Sequence, residues 1–370
     1  MKKRIYFLDH LRIFTITMVI VYHVTLLYTN AFEYVQNPVP DGYDPLFMTM
    51  TFLISGPMLN SIMFFIAGYF VIGSYKKKGS SQFAKDRLIK LGIPYLFGLV
   101  ILAPLAQYIA NRSWGSNAGL IEFWFTDFFH PENIDLHHLW FIGILLLFSL
   151  ISIPIIYRLQ YWNVQAVGSD HHVPSRVYIL FLVLTFVLYY GMGFFYEPQV
   201  FISFYILYFS PVMLPVYAAY FALGIYASMK MWFTDEHTVR IFPWVIAYAA
   251  NFLLYGGTMV IKDINPIEGT GNDPLLAFAT NGMTFAGVML LIALFKRFFN
   301  KRSDGMLRLS ANSYNTYIVH YLIVYVVVYL MSAINIPTIG KYIFQVILCV
   351  FLSWIIATFL KERTSLRSWI

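Results

Sequence analysis

The sequence predicts an all-α integral membrane protein, a bundle of about ten transmembrane helices with both termini in the cytoplasm. Three observations lead there. The 370 residues are 59% hydrophobic and 12% charged, with a mean hydropathy of +0.66; the apolar excess recurs in runs of helix length; and the basic residues fall almost entirely in alternate connections. Such a composition excludes a disordered chain, and a single cysteine, Cys349, excludes an intrachain disulfide. The formal charge of +7 sits in short clusters between apolar runs. No continuous basic face forms, so no nucleic acid partner is expected.

A bilayer core needs about 20 apolar residues of helix. Runs of that kind lie at 11–30, 48–75, 92–110, 139–158, 177–195, 203–229, 241–261, 274–295, 314–333 and 342–360. The first has no small-residue cleavage site after it and reads as a retained helix rather than a signal peptide. With the N-terminus inside, 22 of the 25 Lys and Arg lie in cytoplasmic connections, leaving Arg112, Lys262 and Lys341 outside. That asymmetry fixes the predicted orientation. No connection is long enough for a separate domain, so residues 1–370 read as one transmembrane domain in the cell membrane. The stretch Ser80–Lys90 mixes Phe83, Leu88 and Ile89 with Lys85, Arg87 and Lys90, the pattern of a short interfacial helix.

Ionisable residues inside apolar spans are costly and mark functional sites by default. Arg12 and His23 are 11 residues apart on the first span, which turns the helix by about 1100°, leaving them roughly 20° apart on one face with a rise of about 16 Å. Asp9, one turn before Arg12, can pair with it. Two readings stand for this pair: a membrane anchor with a packing histidine, or a cation near the inner boundary with a base at mid-membrane. Adjacent His137 and His138 lie about 100° apart on a helix and lack a ligand at i+4, so no metal site is expected. Walker A, dinucleotide-glycine, HExxH and Gly-x-Ser-x-Gly motifs are absent from the sequence. No permanently bound cofactor is expected.

Four segments carry a family resemblance. Arg4-Ile-Tyr-Phe-Leu-Asp9-His-Leu-Arg12, ten further residues and His23 are similar to the opening of the membrane-bound acyltransferase 3 family. Phe64-Phe65-Ile66-Ala67-Gly68-Tyr69-Phe70 resembles its FF(I/L)SGYF element, with Ala67 where serine is common. His138-Leu139-Trp140-Phe141 is similar to its HLWFL element, and Ser313-Tyr314-Asn315-Thr316-Tyr317-Ile318-Val319-His320 to its SYxIYLxH element. The opening segment and the length resemble its glucan-modifying succinyltransferases.

The resemblance implies an enzyme that moves an acetyl or succinyl group from cytoplasmic acyl-CoA to a hydroxyl of a surface or periplasmic glycan. His23 would take the hydroxyl's proton, or form an acyl-histidine; both routes remain open. Arg12 would hold the donor's phosphates or polarise its thioester. Glu33 would orient the histidine, or be a solvated loop carboxylate. Where the family often has Arg-x-Arg, this chain has Lys85-Asp86-Arg87, so Lys85 and Arg87 are donor-phosphate candidates and only Arg87 keeps a planar fork. His138 and Trp140 are substrate-side candidates, His320 is structural or catalytic, and Gly68 is expected to bring the second span close to the first. Two other functions fit the same residues: a transporter of a small anionic or acylated metabolite, and acyl transfer to a lipid or small amide.

Overall fold

The computed structural model describes residues 4–29, 35, 37, 41–54, 58–130, 134, 136–161, 174–198, 200–204, 206–233, 240–264 and 273–363. Thirteen α-helical segments follow in order among these residues. They are α1 (Tyr6–Leu26), α2 (Asp44–Ile54), α3 (Met58–Arg87), α4 (Ile93–Phe97), α5 (Ala103–Ser113), α6 (Leu120–Glu122), α7 (Trp140–Tyr161), α8 (Ser175–Met192), α9 (Met213–Met229), α10 (Phe242–Ile264), α11 (Pro274–Phe298), α12 (Asp304–Ser332) and α13 (Thr338–Arg363). Wider π-helical turns at Leu88–Gly92, Gly98–Leu102 and Phe123–Phe128 precede α4, precede α5 and follow α6. A 3-10 turn, His137–Leu139, leads into α7.

Eight helical stretches among the described residues are long and apolar enough to cross a membrane, and the 17-residue α9 is a shorter apolar helix. Together they overlap each of the ten apolar runs of the sequence, 48–75 and 92–110 both falling within the stretch Asp44–Ser113. The protein is therefore an all-α multi-pass membrane protein. One run departs from expectation. Residues 203–229 do not form one helix: Ile202–Phe204 (β1) pairs antiparallel with Leu207–Phe209 (β2), and helix begins only at Met213. Pro198 and Pro211 bracket this Ile-, Phe- and Tyr-rich segment, which suits a strand as well as a helix, and a residue preceding proline is biased to extended backbone.

The chain divides into two compact units. One comprises Met1–Arg12, Gly56–Arg87 and Ile144–Arg302. Its centre is the crossing of α3 and α9, where a Cβ on Gly68 would strike the Phe221 carbonyl oxygen and one on Gly224 the Phe65 carbonyl oxygen. Two glycines facing each other's backbone in this way let helices approach closely. The backbone nearest Gly68 is thus that of α9, which corrects the expected partner, the first span. Phe64 stacks on Tyr217 at 5.1 Å beside Phe148, filling the space around the crossing. At Gly79 the helix turns through φ 74°, a left-handed conformation open to glycine, and the short segment Ser80–Arg87 follows as a separate helical piece.

The second unit comprises Ile13–Ser55, Leu88–Gly143 and Ser303–Ile370. Its core joins Ile20 and Val24 of α1, and Tyr28 just beyond it, to Val324, Tyr325 and Val328 of α12 and to Tyr342 and Cys349 of α13. Polar pins reinforce the apolar contact. Tyr28 donates to Gln345 Oε1 at 2.8 Å, Asn312 Nδ2 to Thr358 Oγ1 at 3.0 Å and Trp354 Nε1 to Thr17 Oγ1 at 3.3 Å. With no water at hydrocarbon depth, such pairs satisfy groups that would otherwise be orphaned.

Candidate active site

The candidate residues Asp9, Arg12 and His23 of α1 lie in two places. In its first turns, Asp9 is buried and accepts from Arg4 Nε at 2.7 Å, while Arg12 Nη1 stands 3.6 Å from the other carboxylate oxygen. Arg4 is thus a closer partner for Asp9 than the expected Arg12, and the shared carboxylate raises the Arg4 pKa through that hydrogen bond. Arg12 is half-buried, with its guanidinium 5.4 Å over the Phe70 ring. A carboxylate on one side and an aromatic face on the other suit a delocalised cation.

Three turns on, in the last turn of α1 rather than halfway along the span as expected, His23 is hydrogen-bonded to His320 and packs among rings from three distant segments. Its Nδ1 lies 2.8 Å from the Val19 carbonyl oxygen and 3.3 Å from His320 Nε2. His320 is fully buried, and its own Nδ1 lies 2.5 Å from the Tyr317 carbonyl oxygen. A carbonyl only accepts, so each Nδ1 carries the proton of a neutral ring. His320 Nε2 is then a lone pair, and His23 Nδ1–H is shared between it and Val19. The remaining lone pair, on His23 Nε2, has no hydrogen-bond partner among the described residues, and the ring is only half-buried. Tautomer and orientation follow from the acceptors around the rings.

The second histidine pair sits on the 3-10 turn. His137 has φ 44°, a left-handed conformation that is strained for a residue with a Cβ, and this bend sets both adjacent imidazoles against α12. Both rings lie nearly parallel to Tyr321, each with its centroid 4.9 Å away. Tyr321 and Tyr325 share a hydrogen bond of 2.6 Å, and Tyr321 Oη is 3.3 Å from His137 Nδ1. His138 is buried, with Nε2 3.0 Å from the Ile318 carbonyl oxygen, and its own carbonyl accepts from Tyr317 Oη at 2.6 Å. Trp140 opens α7 half-buried, its indole edge-on to Phe141 at 6.3 Å.

Of the residues singled out from the sequence, His23, His138 and His320 come together in this cluster. Glu33 lies outside the described residues. Lys85 is exposed, while Arg87 is half-buried with its guanidinium 4.8 Å from the Phe83 ring centroid. Asp86 between them pairs with Lys78 and accepts from Gln82 at 2.8 Å, and neither Lys85 nor Arg87 forms an ion pair among the described residues. Among those residues no group of three or more His, Cys, Asp or Glu is arranged to hold a metal ion. Sequence reasoning passed over Tyr317, Tyr321 and Tyr325, although their i, i+4, i+8 spacing on a polar-faced helix marks one stripe.

Fold and site define a multi-pass helical membrane protein with a tautomer-locked histidine cluster inside one of its units. The chain belongs to the acyltransferase domain family known as acyltransferase 3, which it matches over residues 5–358. It is similar to the glucans biosynthesis protein C of Salmonella paratyphi B and of Salmonella dublin, at 25% identity over 194 residues in each case. These matches cover 50% of this chain and 46% of each relative, so the chain spans about half the length of the curated relatives it matches. No solved structure matches it significantly.

Proposed function

We propose that the protein is a membrane O-acyltransferase that takes an acetyl or succinyl group from acyl-CoA at the cytoplasmic face and delivers it to a hydroxyl of a surface or periplasmic glycan. The observation that carries this reading is the bare His23 Nε2, backed by His320 through His23 Nδ1. A sugar hydroxyl has a pKa far above 7 and attacks a thioester only as a positioned base removes its proton. His23 Nε2 takes that proton, and the charge arising on the ring spreads through Nδ1–H to His320. The new bond joins the hydroxyl oxygen to the acyl carbon, the carbon–sulfur bond breaks, and the proton passes from His23 to the departing thiolate. Arg12, on the same helix nearer its N-terminus, meets the donor's negative charge, with Arg87 and Lys85 as further phosphate contacts. Both termini lie in the cytoplasm in this reading, the side that carries 22 of the 25 basic residues.

The test is direct. Protein purified in detergent, given acetyl-CoA or succinyl-CoA and a cell-envelope glycan, is expected to release free thiol and to yield acylated glycan by mass spectrometry. His23→Ala should abolish both. Unchanged release in that variant would remove His23 from the chemistry, and uptake of the donor into proteoliposomes without thiol release would identify a transporter instead.

A further inference from the structure

We propose that His138 holds a second hydroxyl of the acceptor, beside the one that reacts, so that the site selects a molecule with neighbouring hydroxyls over one with a lone hydroxyl. The inference rests on the acyl-transfer reading and adds a specificity-determining residue to it. His138 is 5% exposed and held on every side that the contacts define. Its Nε2–H donates to the Ile318 carbonyl, its main-chain carbonyl accepts from Tyr317, its face lies along Tyr321 at an interplanar angle of 16°, and its ring meets His320 edge-on at 4.8 Å. Because Nε2 carries the proton of the neutral ring, Nδ1 is a lone pair. That nitrogen is buried and has no hydrogen-bond partner among the described residues.

An unmet acceptor this deeply buried, on a ring this well fixed, calls for a donor. Its position says which one. The His23 and His138 rings border the same two residues, lying 5.1 and 4.8 Å from His320 and 5.1 and 4.9 Å from Tyr321. Two neutral imidazoles beside one His320–Tyr321 pair, each with a lone pair to offer, match a ligand that presents two adjacent O–H donors. One hydroxyl loses its proton to His23 as it attacks the acyl carbon, and the thiolate leaves with that proton. The other donates to His138 Nδ1 throughout and keeps its hydrogen. An ether or a hydrogen at the second position would leave Nδ1 unpaired, and a site built to bind a hydroxyl discriminates strongly against a ligand lacking it.

The experiment uses the full-length protein in detergent with acetyl-CoA and three acceptors: a methyl hexopyranoside with adjacent free hydroxyls, its monodeoxy counterpart and its mono-O-methyl counterpart. The wild-type protein is expected to favour the diol over both analogues by about tenfold or more in kcat/KM. His138→Gln, which keeps an N–H donor near Nε2 but lacks the acceptor at Nδ1, should bring that ratio close to one. His138→Asn, whose side-chain oxygen can stand near Nδ1, should restore part of it, and thermal unfolding separates misfolded variants from informative ones. A wild-type protein that releases thiol yet ignores the second hydroxyl overturns this proposal alone, as does a His138→Gln variant with undiminished preference. Absence of thiol release with every acceptor overturns the acyl-transfer reading instead.

Discussion

At Asp9 and Arg12, α1 carries full charges and balances them locally: one buried carboxylate serves two guanidinium groups, at 2.7 and 3.6 Å, and an aromatic ring covers the second. At Val19 to His23 the same helix carries no acid or base other than one imidazole, and every polar nitrogen that meets protein there is matched to a neutral acceptor. The contrast follows from what charge costs in apolar surroundings. A buried ion pair balanced at close range is tolerable, whereas an unpaired proton carrier in apolar surroundings must rest uncharged and become charged only during reaction. In the proposed acyl transfer, His320 would share the charge that appears on His23, without adding a permanent carboxylate.

Substitutions at five positions test these assignments. The largest effect belongs to His23→Ala, which should cut acyl-CoA-dependent thiol release by about 10²–10⁴-fold. Donor affinity, measured by competition with a non-transferable analogue, should stay nearly constant. His320→Ala comes next: losing the ring that backs His23 should lower kcat by roughly 10- to 100-fold with little change in KM for the donor. His320→Gln, still able to accept from His23 Nδ1–H, should recover part of the loss, and equal defects in the two variants would leave His320 a packing role only.

A smaller, purely structural effect is expected at the α3–α9 crossing. Gly68→Ala pushes a methyl into the Phe221 carbonyl and should destabilise the protein by about 1–3 kcal/mol in detergent unfolding. Gly73→Ala, five residues along the same helix with open space around it, should be neutral or slightly stabilising. The smallest change is Arg87→Lys. It keeps the charge but loses the fork, so KM for acyl-CoA should rise by only a few-fold, and Arg87→Ala by more. Equal KM values across wild type and both variants would exclude Arg87 from the donor site.

Hydropathy exposed nearly all the membrane-crossing helices because a bilayer filters on a quantity that each segment carries by itself: about 20 residues of sufficient apolarity. It failed at 203–209 for a reason equally local. Ile, Phe and Tyr are apolar in strand and helix alike, and only the paired main chains of β1 and β2 distinguish the two. The role of Gly68 was read correctly as close packing and assigned to the wrong neighbour, because a glycine shows that something approaches but not what.

Of the site, the chain alone named Arg12, His23, His138 and His320 as residues of interest, since ionisable or imidazole groups in apolar runs stand out one at a time. Their relations depended on packing. His23, His137–His138 and His320 are separated by more than a hundred residues from one segment to the next. Which ring nitrogen bears a proton is decided by carbonyls at Val19, Tyr317 and Ile318, groups that every residue possesses and no pattern can mark. Sequence thus determined the solvent, the spans and the candidate chemistry, because these belong to side chains taken singly. Only the tertiary structure made one histidine's lone pair available and left another's unmet, because hydrogen-bond roles belong to pairs.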